Sequence, residues 1–362
     1  MPINIDGSKG IRQNTTEVTK IPVGTTAQRP ANPEAGMMRF NTDEGQVEGY
    51  NDRIDEWQPI NQFFQQIVAT GGTVTDIEQG GILYRVHTFT SSGTFEVARS
   101  GEFEYLVVGG GAGARADTDV GQGGYGGGGA GGLVLVENNS IPIGSYSITV
   151  GEGSASSRTP GYNDSGGRTT PNPNGDPSEA FGFIALGGGG GGADDGVGRS
   201  GGANGGGNGQ NESGTPASGV QPSEPNIGAS INAGNDGANS RNGNSGGGGG
   251  GASADGGNNT SDTTNGGDGI FISWADLAGL GENGYFAGGG AGGNNGGGGD
   301  CIGGLGGGGN GGSGAVNTNR EGESGLPNTG GGGASQGENA SGDVSTSGDG
   351  GSGIVILRYR IG

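Results

Sequence analysis

The sequence predicts an all-β protein in which short strands carry a bundle of polyglycine II helices, with almost no α-helix. The chain has 362 residues and 98 of them are glycine. Short apolar runs alternate with polar residues, as half-buried strands do. Several of these runs lead directly into blocks of glycine. The main blocks are residues 187–192, 246–251, 288–299, 303–314 and 330–333.

The glycine blocks exclude ordinary secondary structure. Each glycine costs about 1 kcal/mol relative to alanine inside an α-helix, and a strand of glycine has no side chains to pack. Two interpretations follow. The blocks are either a flexible linker or polyglycine II, an extended helix with three residues per turn and no internal hydrogen bonds. Polyglycine II helices can pack side by side because only bare backbones approach so closely.

Composition and charge exclude several partners. The formal net charge is −21, so a basic surface for nucleic acid or an anionic membrane is not expected. No apolar run approaches the roughly 20 residues that span a bilayer, and the first ten residues lack the apolar stretch of a signal peptide. The single cysteine, Cys301, excludes an intrachain disulfide. We therefore expect no nucleic acid partner and no membrane insertion.

The amino-terminal sequence predicts an extended arm followed by a small folded module. Residues 1–20 are polar and predict an extended arm. Residues 21–60 predict a β-meander, with turns at Asn41–Gly45 and Asn51–Arg53 between three strands. About 40 residues bury too little surface to fold alone, so we expect this module to dock or to oligomerise. The residues predicted to do so are Met38, Phe40, Tyr50, Trp57, Phe63 and Phe64.

Residues 61–80 are predicted to be a short connector. Phe63, Phe64, Ile67 and Val68 have a spacing typical of one or two helical turns. A packed connector and a trimeric helical neck both fit this pattern.

The remaining chain, residues 81–362, is predicted to be one glycine-rich domain. Its strands are expected within 82–186 and 353–362, and its polyglycine II bundle with loops within 109–132 and 187–352. Because strands need partners to bury their apolar faces, the last strand should return to the first ones and form a β-sandwich. The predicted strands are 83–90, 94–97, 104–108, 133–137, 146–150, 181–186 and 354–361, with a hairpin turn at 91–93.

One apolar segment, residues 270–286, interrupts the glycine-rich part. It either plugs the bundle locally or exposes aromatic rings at a tip, where they would bind a sugar or a protein receptor. Neighbouring loops are rich in asparagine, which suits glycan hydroxyls and is also typical of plain solubility. The candidate receptor-binding residues are Trp274, Leu277, Tyr285, Phe286, Asn235, Asn258 and Asn259.

No residue pattern predicts catalysis. His87 is the only histidine and lies in a strand without an evident catalytic partner. Asp194 and Asp195 have the character of a solvated loop. Asp255, Asp262 and Asp268 lie in an oxygen-rich loop but lack the spacing of a calcium-binding loop. We therefore predict no enzyme activity, no metal and no cofactor.

The amino-terminal module resembles a module of tailed-phage fibre and virion structural proteins. The resemblance rests on VGTTAQRP at 23–30, GMMRFNT at 36–42 and VEGY at 47–50. In that family the module usually precedes a fibre or tip domain, which implies docking to other phage tail or baseplate proteins and a homotrimer.

The glycine-rich part resembles the glycine-rich domain of phage tail-fibre and adhesin proteins. The matching stretches are YRVHTFTSSGTF at 84–95, YLVVGGG at 105–111, ITVG at 148–151, ALGGG at 185–189 and GIVILRYR at 353–360. The resemblance implies a virion protein, made in the host cytoplasm, that recognises a bacterial surface receptor, a glycan or an outer-membrane protein, through loops at the end of a polyglycine II bundle.

Other functions remain open on the residues alone. A purely structural virion component, in a baseplate or a head fibre, would use the same fold without a receptor. A polysaccharide-degrading enzyme would need two carboxylates about 5–10 Å apart beside a sugar groove. An ice-binding protein built on polyglycine II would leave the amino-terminal resemblance unexplained.

Overall fold

The protein divides into two compact units, Met1–Gln66 and Ile67–Gly362. The computed structural model describes residues 21–52, 55–60, 67–116, 125–158, 172–192, 198–203, 221, 226, 228–239, 245–257, 264–294, 301–312, 321–337 and 346–361. The described residues are mostly strands and extended segments. This confirms the all-β class.

The first unit is a four-stranded sheet rather than the three-stranded meander that the sequence predicts. The additional strand, near the start of the described residues, pairs in parallel with the first predicted one. A 3-10 helix, Thr26–Gln28, follows it. The strands are β1 (Val23–Gly24), β2 (Met38–Asn41), β3 (Gln46–Asn51) and β4 (Glu56–Pro59), in spatial order β1-β2-β3-β4.

A buried ionic cluster holds this sheet together. Glu48 is buried and accepts a hydrogen bond from Arg29 at 2.6 Å and from the side-chain amide of Asn41 at 3.0 Å. The guanidinium of Arg39 lies 3.4 Å from the same carboxylate. Hydrogen bonding to Arg29 lowers the pKa of Glu48, so the carboxylate stays ionised against the desolvation that burial imposes. The small unit is thus organised around a charge that several groups share.

The second unit contains all the remaining elements. The strands are β5 (Val68–Thr70), β6 (Thr73–Gln79), β7 (Ile82–Phe89), β8 (Gly93–Arg99), β9 (Gly101–Val108), β10 (Arg115–Ala116), β11 (Leu133–Ile141), β12 (Gly144–Ile148), β13 (Ser157–Arg158), β14 (Ser178–Ala180), β15 (Phe183–Ala185), β16 (Ile231–Ala233), β17 (Ile270–Phe271), β18 (Tyr285–Phe286) and β19 (Ile354–Arg360). Among the described residues of this unit, one short helix, α1, spans Ser273–Leu277.

The last strand lies in the centre of the main sheet. Six strands are arranged in the order β16-β11-β9-β19-β7-β6, and β19 pairs antiparallel with both β9 and β7. The predicted return of the carboxy-terminal strand to the first strands is therefore confirmed. The carboxy-terminal strand thus joins two of the early strands of the unit into one sheet.

A second sheet packs against the first and completes a sandwich. It contains three strands in the order β12-β8-β5. Phe95 of β8 is fully buried between the sheets, where its ring makes edge-on contacts with Phe89 and Phe103. Such rings bury large apolar areas and dominate the energetics of a core.

The predicted hairpin at residues 91–93 is wrong. Strands β7 and β8 are consecutive, but β7 belongs to the six-stranded sheet and β8 to the three-stranded sheet. The connection crosses from one sheet to the other because Phe89 and Phe95 both point into the core between them. The turn residues alone do not distinguish a hairpin from such a crossing.

The predicted strand 181–186 also differs from the structure. Phe181 has a left-handed backbone with φ 52° and forms, with Gly182, the turn between β14 and β15. Its ring packs on Phe95 and Tyr105. The aromatic side chain made the position resemble a strand residue, whereas it fills the core from a turn.

Residues 67–80 belong to the sandwich rather than to a connector. Val68–Thr70 forms an edge of the small sheet and Thr73–Gln79 an edge of the large one. Between them Gly71 and Gly72 have φ of 123° and 61°, conformations that favour glycine. The part of the helical prediction at Phe63 and Phe64 lies outside the described residues.

The second face of the six-stranded sheet is buried too. The segment from β17 through α1 to β18 covers it, with Trp274 and Phe286 packed against Val86, Leu106 and Ile356. Arg358 points from β19 into this layer, between the rings of Tyr84 at 4.5 Å and Trp274 at 5.0 Å. Its guanidinium also pairs with Glu104 at 2.5 Å. This pairing explains how a charged side chain can occupy a buried position.

The glycine blocks form extended rods joined by backbone hydrogen bonds. In the rod of residues 125–132, every third N–H donates to the same neighbouring rod. This repeat is the three-residue period of polyglycine II. The donor and acceptor pairs, with N···O between 2.8 and 3.0 Å, are Gly127 to Gly247, Ala130 to Gly250, Gly128 to Gly333, Gly131 to Gly330, Gly129 to Gly189 and Gly132 to Leu186.

A second rod shows the same period. Gly288, Ala291 and Asn294 donate to Gly306, Gly309 and Gly312. Donors and acceptors both advance by three residues, so two neighbouring rods keep register along their length. The interpretation of the glycine blocks as polyglycine II rather than as a linker therefore agrees with the hydrogen bonds.

The spacing between rods requires glycine. A Cβ added at Gly128 or at Gly290 would lie under 3.0 Å from a backbone oxygen of the neighbouring rod. Alanine occurs where the lattice has space for a methyl group, as at Ala112, Ala130 and Ala291, which are fully buried. The rods therefore pack backbone against backbone, with a methyl group only at defined points.

Candidate functional site

The course of the chain defines a far end of the bundle. Strand β9 ends at Val108 and continues directly into a rod at Gly109, and a rod that ends at Gly132 leads directly into β11. Rods therefore run away from the sandwich and back to it. Hydrogen bonds between Ala114 and Gly348, and between Gly293 and Tyr125, mark the level at which the described rods end.

Polar side chains replace glycine at this level. We call Asn172, Ser245, Thr264, Asn294 and Ser347 the far-end layer. All five residues are buried. The amide of Asn172 donates to the carbonyl of Ala114 at 2.5 Å, and the hydroxyl of Ser347 donates to the carbonyl of Arg115 at 2.5 Å.

The far-end layer also ties neighbouring rods to one another. The Ser245 hydroxyl donates to the side-chain oxygen of Asn294 at 3.3 Å, and Thr264 donates to the thiol of Cys301 at 3.6 Å. Because these side chains hydrogen-bond to one another or to the last described carbonyls of the rods, the layer closes the described end of the lattice. It forms a buried, hydrogen-bonded base at the end of the described rods.

The connections between rods are the segments of sequence that separate the described far ends of the rods. They contain many Asn, Asp, Ser and Thr residues and more acidic than basic side chains. They lie outside the described residues, and so do the candidates Asn258 and Asn259. The connections are 117–124, 159–171, 193–197, 240–244, 258–263, 295–300, 313–320 and 338–345.

The other candidate receptor-binding residues do not lie in the far-end layer. Trp274 and Phe286 are buried on the second face of the six-stranded sheet, so a receptor could reach them only by displacing that segment. Leu277, in α1, is 52% exposed and Tyr285 is half-buried. The amide of Asn235 donates to the carbonyls of Gly251 and Ala252, which places it on the side of a rod.

The predicted docking residues divide between surface and core of the first unit. Met38 is 49% exposed, Phe40 and Trp57 are half-buried, and Tyr50 is buried against Trp57 with ring centroids 5.8 Å apart. Phe63 and Phe64 lie outside the described residues. A cavity of about 560 Å³ is lined by Pro22, Val23, Gln28, Pro30, Met37, Met38, Arg39 and Trp57.

His87 is a core residue of the sandwich. It is fully buried, with Nδ1 at 2.7 Å from the carbonyl oxygen of Gly71 and Nε2 at 3.4 Å from the hydroxyl of Tyr359. Burial lowers the pKa of His87, because a charged imidazole loses its hydration there. Its two nitrogens are occupied by structural partners.

Among the described residues, no group of three or more His, Cys, Asp or Glu side chains could hold a metal ion. No described helix is long and apolar enough to cross a membrane.

Comparison with known families agrees with the architecture. The family model described as "Glycine-rich domain" matches residues 89–360. The chain belongs to this glycine-rich domain family. The match begins at Phe89, the last residue of β7, and ends with β19, so it includes β8, β9, β11 and β19 of the sandwich together with the bundle. No curated protein matches the chain.

Sequence reasoning missed how the sides of the bundle are closed. The N–H of Ile302 donates to the side chain of Asn265 at 3.0 Å, and that of Leu305 donates to Asp268 at 2.9 Å. The two donors are three residues apart in one rod, and the two acceptors are three residues apart in the next. Side chains of one rod therefore bind the outward N–H groups of its neighbour. Polar residues at a spacing of three beside glycine are the signal that could have predicted this edge.

Proposed function

We propose that this glycine-rich domain protein is a tail-fibre or tail-tip adhesin of a tailed phage, which binds a bacterial surface receptor through the connections at the far end of its bundle. The observation that carries the proposal is the far-end layer, which closes the described rods at the level where the sequence continues into the connections. A rigid base lets several polar segments contact one receptor without ordering each of them from a free chain.

The chemistry of the connections suits a polar receptor. Asparagine side chains offer donors and acceptors in pairs, and Ser and Thr hydroxyls offer both roles. These groups match the hydroxyls of a bacterial surface glycan or the loops of an outer-membrane protein. Each segment contributes a weak contact, and several copies of the chain on one virion would raise the avidity.

The first unit supports a docking role in the same proposal. Its exposed Met38 and the cavity beside Trp57 present an apolar surface on a unit too small to be stable on its own core. We propose that this surface joins the chain to other phage tail or baseplate proteins and to two further copies in a homotrimer. The protein would then be located in the virion.

Binding to host cells tests the adhesin proposal. Purified protein should bind the host of the phage and should block adsorption of phage particles. Replacing residues 258–263 or 338–345 with Gly-Ser sequences of equal length should reduce binding by at least tenfold. The same replacement at 204–211, which follows Ala203 beside the sandwich, is the matched control and should leave binding unchanged.

Two outcomes would count against the proposal. If saturating protein neither binds cells nor blocks adsorption, the receptor-binding role is wrong, and a purely structural virion component becomes the better account. If the control replacement weakens binding as much as the far-end replacements do, the contact surface lies elsewhere.

A further inference from the structure

A cleft lies on the sandwich where its strands end away from the bundle. Strand β11 starts at the bundle with Leu133 and ends at Ile141, where the chain turns into β12. The turn between β14 and β15, at Phe181 and Gly182, lies beside it. The cavity between the two turns has a volume of about 440 Å³, within the range of small-molecule sites.

Two aromatic rings form the apolar part of this cleft. Tyr146 and Phe181 line it, with ring centroids 5.1 Å apart and planes inclined by 60°. The hydroxyl of Tyr146 donates to the carbonyl of Pro142 at 2.9 Å, which fixes the orientation of the ring. Both residues are half-buried, so part of each ring is accessible.

The position of Phe181 requires a backbone that aromatic residues rarely adopt. Its φ of 52° is left-handed, and such a conformation is unfavourable for a residue other than glycine. Contacts with the rings of Tyr105 and Tyr146 hold the side chain in place. The ring of Phe181 therefore packs against the core and also lines the cleft.

Polar groups surround the rings. Asn139, Ser145, Ser147 and Glu179 line the cleft. Ser147 and Glu179 are exposed, whereas Asn139 is anchored by its amide to the hydroxyl of Tyr105 at 2.6 Å. The cleft thus offers hydroxyls, an amide and a carboxylate around an aromatic floor.

We propose that this cleft binds a neutral sugar ring, a hexopyranose unit of a glycan. The aromatic floor matches the apolar C–H face of a sugar, and the amide, hydroxyls and carboxylate match its hydroxyl groups. No Lys or Arg is among the residues that line the cleft, so a phosphate or a carboxylate ligand would meet Glu179 without a compensating cation. The neutral sugar is therefore the ligand that these side chains fit.

Saturation-transfer NMR of the full-length protein with neutral monosaccharides and disaccharides tests this inference. At least one sugar should receive magnetisation from the protein. Ser147→Trp would fill the cleft from an exposed strand position and should weaken that sugar's binding by at least tenfold. Ser100→Trp, at an exposed position between β8 and β9 outside the cleft, is the matched control and should bind like the unmodified protein.

The outcomes separate the cleft from the far end of the bundle. The Gly-Ser replacement of residues 258–263 should leave sugar binding unchanged, whether or not it abolishes binding to cells. The inference is overturned if no neutral sugar binds, or if Ser147→Trp binds sugar as well as Ser100→Trp does. Binding of an extended peptide at Ser147 in place of any sugar would also contradict it.

Discussion

The sandwich and the bundle are held together in opposite ways. In the sandwich, Phe95, Tyr105 and Leu106 are fully buried and the side chains fill the space between elements. In the bundle, the rod of residues 125–132 presents almost bare backbone, and its N–H and C=O groups bond to the surrounding rods. The first region depends on side chains that are present, and the second on side chains that are absent. Substitutions that add or remove atoms should therefore have opposite effects in the two regions.

Removing a large side chain should affect the sandwich most. Phe95→Ala should lower the free energy of unfolding by about 3–5 kcal/mol, because it leaves a cavity among four aromatic partners. Phe271→Ala is the control, because Phe271 is an exposed phenylalanine of the same unit, and should cost about 1 kcal/mol or less. Chemical denaturation of both variants measures the difference. Equal losses would mean that the core between the sheets is not the one described.

Adding a single methyl group should affect the bundle most. Gly128→Ala would place a Cβ against the backbone of Ala112 and should cost about 3 kcal/mol, because the neighbouring rod cannot move away without breaking its own hydrogen bonds. Gly93→Ala in β8 is the control. Its Cβ would lie 3.5 Å from the ring of Phe89, so it should be neutral or stabilise by up to about 1 kcal/mol. If both variants unfold alike, the rods are not closely packed.

The side of the bundle should be more tolerant than its interior. Asp268→Ala removes the acceptor for the N–H of Leu305 and should cost about 1 kcal/mol, because water can replace part of the lost bond at this exposed position. Asp268→Asn keeps an acceptor oxygen and should remain within about 0.5 kcal/mol of the original protein. Thermal unfolding of the pair checks this, and a larger loss for Asn than for Ala would contradict the capping role.

A pH dependence should be the smallest effect, and it belongs to the sandwich. Burial lowers the pKa of His87 below its ordinary value of 6.5, so the unfolded chain takes up a proton before the folded one does. The contribution of His87 to the free energy of unfolding should be fully present above pH 6.5. It should decline as the pH falls towards the pKa of His87 in the folded state. Denaturation between pH 5 and pH 8 tests this, with His87→Gln as the variant that removes the slope.

The sequence predicted the parts that repeat or alternate. Alternation identified β7, β9 and β19, and the direct passage from Val108 into glycine indicated rods that begin at strand ends. The return of β19 to the first strands followed from the need of apolar faces for partners. These features depend on local sequence patterns and on the rule that strands pair to bury their apolar faces. A single sequence is therefore sufficient to predict them.

The remaining features depend on contacts that no local pattern contains. The polar composition of Thr73–Gln79 is typical of a connector. Its place at the edge of the sheet follows only from its pairing with β7. The second buried face could not be predicted, because Arg358 appears solvent-directed until Trp274 and Glu104 are placed beside it. For the candidate site, composition suggested binding loops, whereas the far-end layer depends on rods distant in sequence.

Amide hydrogen exchange of the glycines tests the central claim most directly, namely that the glycine blocks are an ordered lattice and not a linker. The N–H groups of Gly129 and Gly290 each donate to a carbonyl of a neighbouring rod at 2.9 and 3.0 Å. They should exchange as slowly as the amide of Leu106 in β9, because both regions open only when the unit unfolds. Exchange of these glycines at the rate of an unfolded peptide, beside a protected Leu106, would contradict the account.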